Sequence, residues 1–62
     1  MNVDELWDNI VEYGIATERE LQLVTDINGY TEKTLNDVIY ARTGYRSWEQ
    51  FWDSYEDYNN DL

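Results

Sequence analysis

Tyr13-Gly14-Ile15-Ala16-Thr17-Glu18-Arg19-Glu20 is the stretch whose reading decides the fold. Glycine tolerates the left-handed backbone just past a helix end, so Gly14 closes the segment before it. Thr17, followed three positions later by Glu20, has the pattern of a capping box, in which hydroxyl and carboxylate satisfy the free N–H groups at a helix start. The same stop and start recur along the chain. Gly29 and Gly44 follow Gly14 at an even spacing of fifteen residues, with Thr31 and Ser47 two or three residues beyond them. Ser47-Trp48-Glu49-Gln50 forms a second capping box, and Asn2-Val3-Asp4-Glu5 a looser one. These signals predict four helices, near residues 3–13, 18–28, 32–43 and 48–59, with the tail after Tyr58 fraying. The segments share punctuation but not core positions, so they do not read as a solenoid repeat.

The apolar spacing agrees. Val3, Leu6, Trp7, Ile10 and Val11 run i, i+3, i+4, i+7, i+8 down one face, and Trp48, Phe51, Trp52 and Tyr55 do the same in the last segment. Leu21, Leu23, Val24 and Ile27 mark the second helix, although its β-branched residues also suit a strand. Leu35, Val38 and Ile39 mark the third. The expected fold is therefore all-α, a compact bundle of four short helices forming a single domain over residues 1–62.

A chain of 62 residues has a thin core, and this one contains neither cysteine nor histidine to staple it by disulfide or zinc. Ten aromatic residues make up the difference, since each such ring can bury roughly 150–250 Å². Trp7, Trp48 and Trp52 read as core. Tyr13, Tyr30, Tyr40, Tyr45, Tyr55 and Tyr58 are too many for so small an interior, so some are expected at the surface, where tyrosine favours interfaces. Pairing with a second copy of the chain is one way to cover them.

Charge gives the strongest functional signal. Fourteen acids face four bases, a net of −10. Residues 1–16 contain Asp4, Glu5, Asp8 and Glu12 without a base, and residues 47–62 contain Glu49, Asp53, Glu56, Asp57 and Asp61, again without one. Arg19, Lys33, Arg42 and Arg46 all lie between. Such a field repels phosphate and anionic lipid, disfavouring direct nucleic-acid or membrane contact, and attracts basic protein surfaces. No apolar run reaches signal-peptide or membrane-spanning length, and the first helix starts almost at Met1, so a cytoplasmic protein is expected.

Asp4, Asp8 and Glu12 stack at i, i+4, i+8, and Glu49, Asp53 and Asp57, with Glu56 beside them, repeat the pattern. Like charges at that spacing cost a helix a few tenths of a kcal/mol per pair (roughly 0.2–0.5). A solvated face that keeps an aromatic-rich protein soluble is one explanation. The other is a row of carboxylates at near-phosphate spacing that occupies a basic groove; the near absence of lysine favours it, because ordinary surfaces mix both signs.

Other motifs are weaker. The segment from Leu21 to Thr43 has the outline of a helix-turn-helix, but Glu32 and Asp37 offset Lys33 and Arg42 where phosphate contacts would be needed. Asp26-Ile27-Asn28-Gly29-Tyr30 with Asp37 faintly matches a calcium loop, yet glycine falls at its fourth position instead of its sixth; a helix C-cap explains it more simply. Without histidine or cysteine the commonest bases and nucleophiles are missing, so no enzyme and no cofactor is expected. Arg42 suits a helix-end charge interaction and Arg46 a salt bridge; alternatively, Tyr45 and Arg46 anchor a partner.

Val24-Thr25-Asp26-Ile27-Asn28-Gly29-Tyr30, followed by Thr34-Leu35-Asn36-Asp37-Val38-Ile39-Tyr40-Ala41-Arg42-Thr43-Gly44-Tyr45-Arg46, resembles small proteins encoded by phages and mobile elements of Gram-positive bacteria. The resemblance covers about a third of the chain and carries over no site residues. In size and acidity the chain is similar to anti-CRISPR and anti-restriction proteins, several of which mimic nucleic acid. The resemblance implies an inhibitor acting in the cytoplasm of a bacterial host on a defence nuclease, foremost a type II CRISPR effector with its basic guide and target channels. Asp4, Asp8, Glu12, Glu49, Asp53, Glu56 and Asp57 are the candidate docking residues for such a nucleic-acid-binding partner, with Tyr45 and Arg46 as anchors. The alternative function is a non-catalytic regulatory or interaction module of a mobile element, acting through an aromatic surface around Tyr40, Tyr45 and Trp48.

Overall fold

The structure, a computed structural model, describes residues 1–60 and, among these, the side chains of residues 1–55. The side chains of Glu56, Asp57 and Tyr58, and the last two residues of the tail expected to fray, lie outside the described residues, whereas Asn59 and Asn60 continue the last helix instead of fraying. Four helices follow in order: α1 (Val3–Glu12), α2 (Glu18–Asn28), α3 (Glu32–Thr43) and α4 (Trp48–Asn60). There is no strand among the described residues, so the β-branched residues of α2 have yielded to its caps and its packing.

The caps form at the residues the sequence predicts, although the Ser47 box does not close on its own cap N–H. Thr17 and Glu20 make the full reciprocal box at the start of α2. Asn2 Oδ1 accepts from the Glu5 N–H at 2.8 Å, and Thr31 Oγ1 accepts from the Thr34 N–H at 3.2 Å. Ser47 Oγ accepts from the Gln50 N–H. Gln50 in turn accepts from the N–H of Arg46, one residue before the cap. Each such cap is worth about 0.5–2 kcal/mol. Gly44 closes α3 in the left-handed region, at φ 84 and ψ −4. Gly29 departs from that expectation: at φ 102 and ψ 151 it is extended with positive φ, a conformation that only glycine adopts readily. The chain therefore leaves α2 abruptly, and Tyr30 turns back towards α1.

α3 packs against α1, α2 and α4 in turn. Ile10 of α1, Leu21 of α2, and Leu35 and Ile39 of α3 are fully buried, with Leu6, Ile15, Ala16 and Trp48 around them. A fully buried side chain of this size contributes about 1.5–3 kcal/mol. Thr34 is the one buried polar residue among those described; its hydroxyl meets Thr31 Oγ1 at 3.1 Å and the Asn28 carbonyl at 3.4 Å.

Two core expectations need correction. Leu23 and Ile27 are 55% and 82% exposed. At 100° per residue they lie roughly 200° and 240° around α2 from Leu21, so the helix buries the Leu21–Val24 side and leaves them outside. Tyr55, 41% exposed, is one of the tyrosines that reach the surface, as expected of some of them. Conversely, Ile15 and Ala16, in the turn after α1, are core residues. Ala16 and Leu21 occupy the positions before and four after the Thr17 cap where an apolar staple fixes the entry of a helix.

α4 attaches differently. Tyr13, at the C-cap of α1, stands edge-on to Trp48, Trp52 and Tyr55, with ring centroids 5.3, 5.4 and 5.6 Å away. On α4 itself Trp48 stacks on Trp52 and Phe51 on Tyr55. Edge-to-face pairs add about 0.5–1.5 kcal/mol beyond area burial. Aromatic contacts therefore hold α4 where aliphatic volume is scarce. The molecule measures 41 × 19 × 17 Å along its principal axes.

Candidate functional site

Asp4, Asp8 and Glu12 are all exposed on α1, one turn apart, and Glu49 and Asp53 are exposed on α4. The four bases do not neutralise these faces. Among the described residues the two ion pairs are Arg42 with Glu20 and Lys33 with Asp37, both within the α2–α3 half of the chain. Arg46 lies over the Tyr40 ring, 5.8 Å from its centroid, a cation–π contact in place of the expected salt bridge. Arg42 is in the last turn of α3, where a cation suits the helix dipole, as expected, and it also bridges to α2.

The two acidic faces are not equivalent. α4 meets α1 at the Tyr13 end through rings, whereas Asp4 lies nine residues earlier, about 14 Å along the helix. Asp4 and Asp8 open instead towards α2. There they line a groove of about 560 Å³ together with Trp7 of α1, Gln22 and Asp26 of α2, and Tyr30 from the turn. The reversal at Gly29 brings Tyr30 to this place. Its hydroxyl donates to Asp4 Oδ1 across 26 residues of sequence, and its ring meets Trp7 edge to face at 5.7 Å. The hydrogen bond to Asp4 raises the Tyr30 phenol above its ordinary value; desolvation and the charges of Asp4 and Asp8 push the same way.

The groove therefore combines three carboxylates with two aromatic rings, and none of the carboxylates has a cationic partner among the described residues. No three acidic side chains among those residues come together closely enough to hold a metal ion. In the segment that faintly matches a calcium loop, Asn28 Nδ2 donates to the Val24 carbonyl and Asp37 pairs with Lys33, so the helix C-cap accounts for it.

Tyr45 is half-buried. Its hydroxyl shares a 2.6 Å hydrogen bond with Ser54 Oγ and its ring meets Phe51 at 6.2 Å, so it fastens the α3–α4 turn onto α4. Tyr45, Phe51, Ser54 and Tyr55 together line an apolar cleft of about 360 Å³. Arg46 remains exposed beside Tyr40.

Sequence reading found Asp4 and Asp8 but missed Trp7, Asp26 and Tyr30 as their neighbours. One signal was available: Asp26 is an acid in the last turn of a helix with no base there, the end at which negative charge is unfavourable. Searches with protein-family models, among curated proteins and among solved structures find no match to this chain.

Proposed function

We propose that the chain is a non-catalytic inhibitor that docks its acidic faces on the basic nucleic-acid groove of a bacterial defence nuclease, a type II CRISPR effector being the foremost target. One observation carries the reading: the acids of α1 and α4 are left without cationic partners among the described residues, while Lys33 and Arg42 pair within the centre. A folded surface usually mixes both signs. One that keeps them apart has a net field suited to a cationic partner.

The test is direct binding to such an effector with and without its nucleic acids. Association should compete with target DNA and weaken steeply as salt rises from roughly 50 to 200 mM, because screening shortens the reach of exposed charges. Replacing Glu49 and Asp53 by lysine should reduce inhibition of cleavage. Salt-insensitive binding, or binding alongside bound DNA, refutes the electrostatic mechanism.

A second reading has an observation of its own. The apolar cleft at Tyr45, Phe51 and Tyr55 suits an aromatic or aliphatic side chain of a partner, as a regulatory interaction module would require. Under that reading, Glu49→Lys with Asp53→Lys leaves association nearly unchanged and Phe51→Ala weakens it.

A further inference from the structure

We infer that the groove between α1 and α2 receives an arginine side chain of a protein partner, clamped between the Trp7 and Tyr30 rings and the carboxylates of Asp4, Asp8 and Asp26. The inference deepens the acidic-docking reading and rests on it for the class of partner.

Three features select this occupant. First, the groove is concave and partly aromatic, so a ligand there is desolvated on one side; its volume of about 560 Å³ admits a long side chain with flanking backbone. Second, its charge is uncompensated: Asp8 lines it from α1 and Asp26 from α2, and no base reaches either among the described residues. Third, the rings are held in place. Tyr30 is tethered by its hydrogen bond to Asp4 and by its edge contact with Trp7, so its face is fixed before any ligand arrives. Preorganised aromatic faces reduce the ordering cost of binding.

Guanidinium fits this set better than the other cations. Its plane stacks on an aromatic ring while its edge donates to carboxylates in a fork, and it is more weakly hydrated than ammonium. Lysine offers a compact, strongly hydrated charge that would use the carboxylates but gain less from the rings. A divalent metal is disfavoured because the acids do not converge on one point.

The test uses short blocked peptides of the form Gly-Arg-Gly, with lysine or neutral citrulline in place of arginine, titrated into the whole chain and followed by NMR at the Trp7 indole and Tyr30 ring. The arginine peptide should shift both signals saturably and bind about threefold or more tighter than the lysine peptide, and citrulline should not bind. Asp26→Asn, an exposed substitution, should weaken arginine binding about fivefold, whereas Asp53→Asn on α4 should leave it unchanged. Equal affinity for arginine and lysine, equal effects of the two substitutions, or shifts spread along α4 overturn the inference. Selective binding in the groove supports it even where the nuclease experiment fails. A nuclease that binds while no arginine peptide moves Trp7 overturns the groove and leaves the acidic faces standing.

Discussion

Replacing Asp8 by asparagine should make the protein more stable and a poorer binder at once. Asp8 is exposed and has no cationic partner among the described residues. It has three like-charged neighbours on α1: Asp4 and Glu12 one turn away on either side, and Glu5 three residues before. Each such pair destabilises a helix by about 0.2–0.5 kcal/mol, so the substitution should return about 0.6–1.5 kcal/mol at low ionic strength. Aspartate and asparagine have similar helix propensity, which leaves charge as the main variable. In a domain of this size a gain of that order raises the melting temperature by roughly 2–12 °C. Thermal unfolding followed by far-ultraviolet circular dichroism measures it. The gain should shrink at about 1 M salt, where the screening length falls to about 3 Å. The same change removes a charge from the lining of the groove and should weaken capture of the arginine peptide. A variant no more stable than the parent at low salt would refute the reasoning, because the stripe would then carry no energetic penalty for a function to explain.

Three further outcomes follow from the packing and the turn. Asp4→Ala should let Tyr30 titrate nearer the ordinary phenol value, read from its ring signals; because the phenol is raised in the folded state, the stability it contributes is present below the ordinary value and lost as pH climbs through the raised one. Leu35→Ala, at a fully buried position, should cost about 2–5 kcal/mol and leave much of the population unfolded in a urea titration. Gly44→Ala meets no atom within 4 Å, so its expected loss of about 1–2 kcal/mol comes from the left-handed backbone alone and should appear as a lower urea midpoint at unchanged slope.

The helices were legible because their punctuation is local. Thr17 with Glu20, Thr31, Ser47 with Gln50, and the three glycines each act within a few residues, and the structure keeps all four segments with only the ends of α1 and α4 moved by one position each. The core was legible where period and burial agree, at Leu6, Ile10, Leu35 and Ile39. It failed at Leu23 and Ile27, because α2 has apolar residues on more than one face and only packing decides which is covered. The groove was least legible. Asp4 and Asp8 were visible as a stripe, but their conjunction with Tyr30 depends on the turn at Gly29 and on a contact spanning 26 residues. No helical period encodes that.

Charge at opposite ends of the chain is tolerated because its cost is short-ranged. Two unit charges separated by 19 Å, the intermediate extent of the molecule, interact by about 0.2 kcal/mol in water. At physiological ionic strength the screening length is about 8 Å, which reduces that by roughly tenfold. Repulsion between charges that far apart is therefore negligible beside a single edge-to-face ring contact at Tyr13. The penalty for so acidic a composition falls almost wholly within each helix, between neighbours one turn apart. The same range limits what a partner can gain. A basic surface resting on Asp4, Asp8 and Asp26 draws little from any carboxylate more than a screening length away. A partner large enough to span both faces engages them together, and a nucleic-acid channel that encloses the whole domain is a surface of that kind.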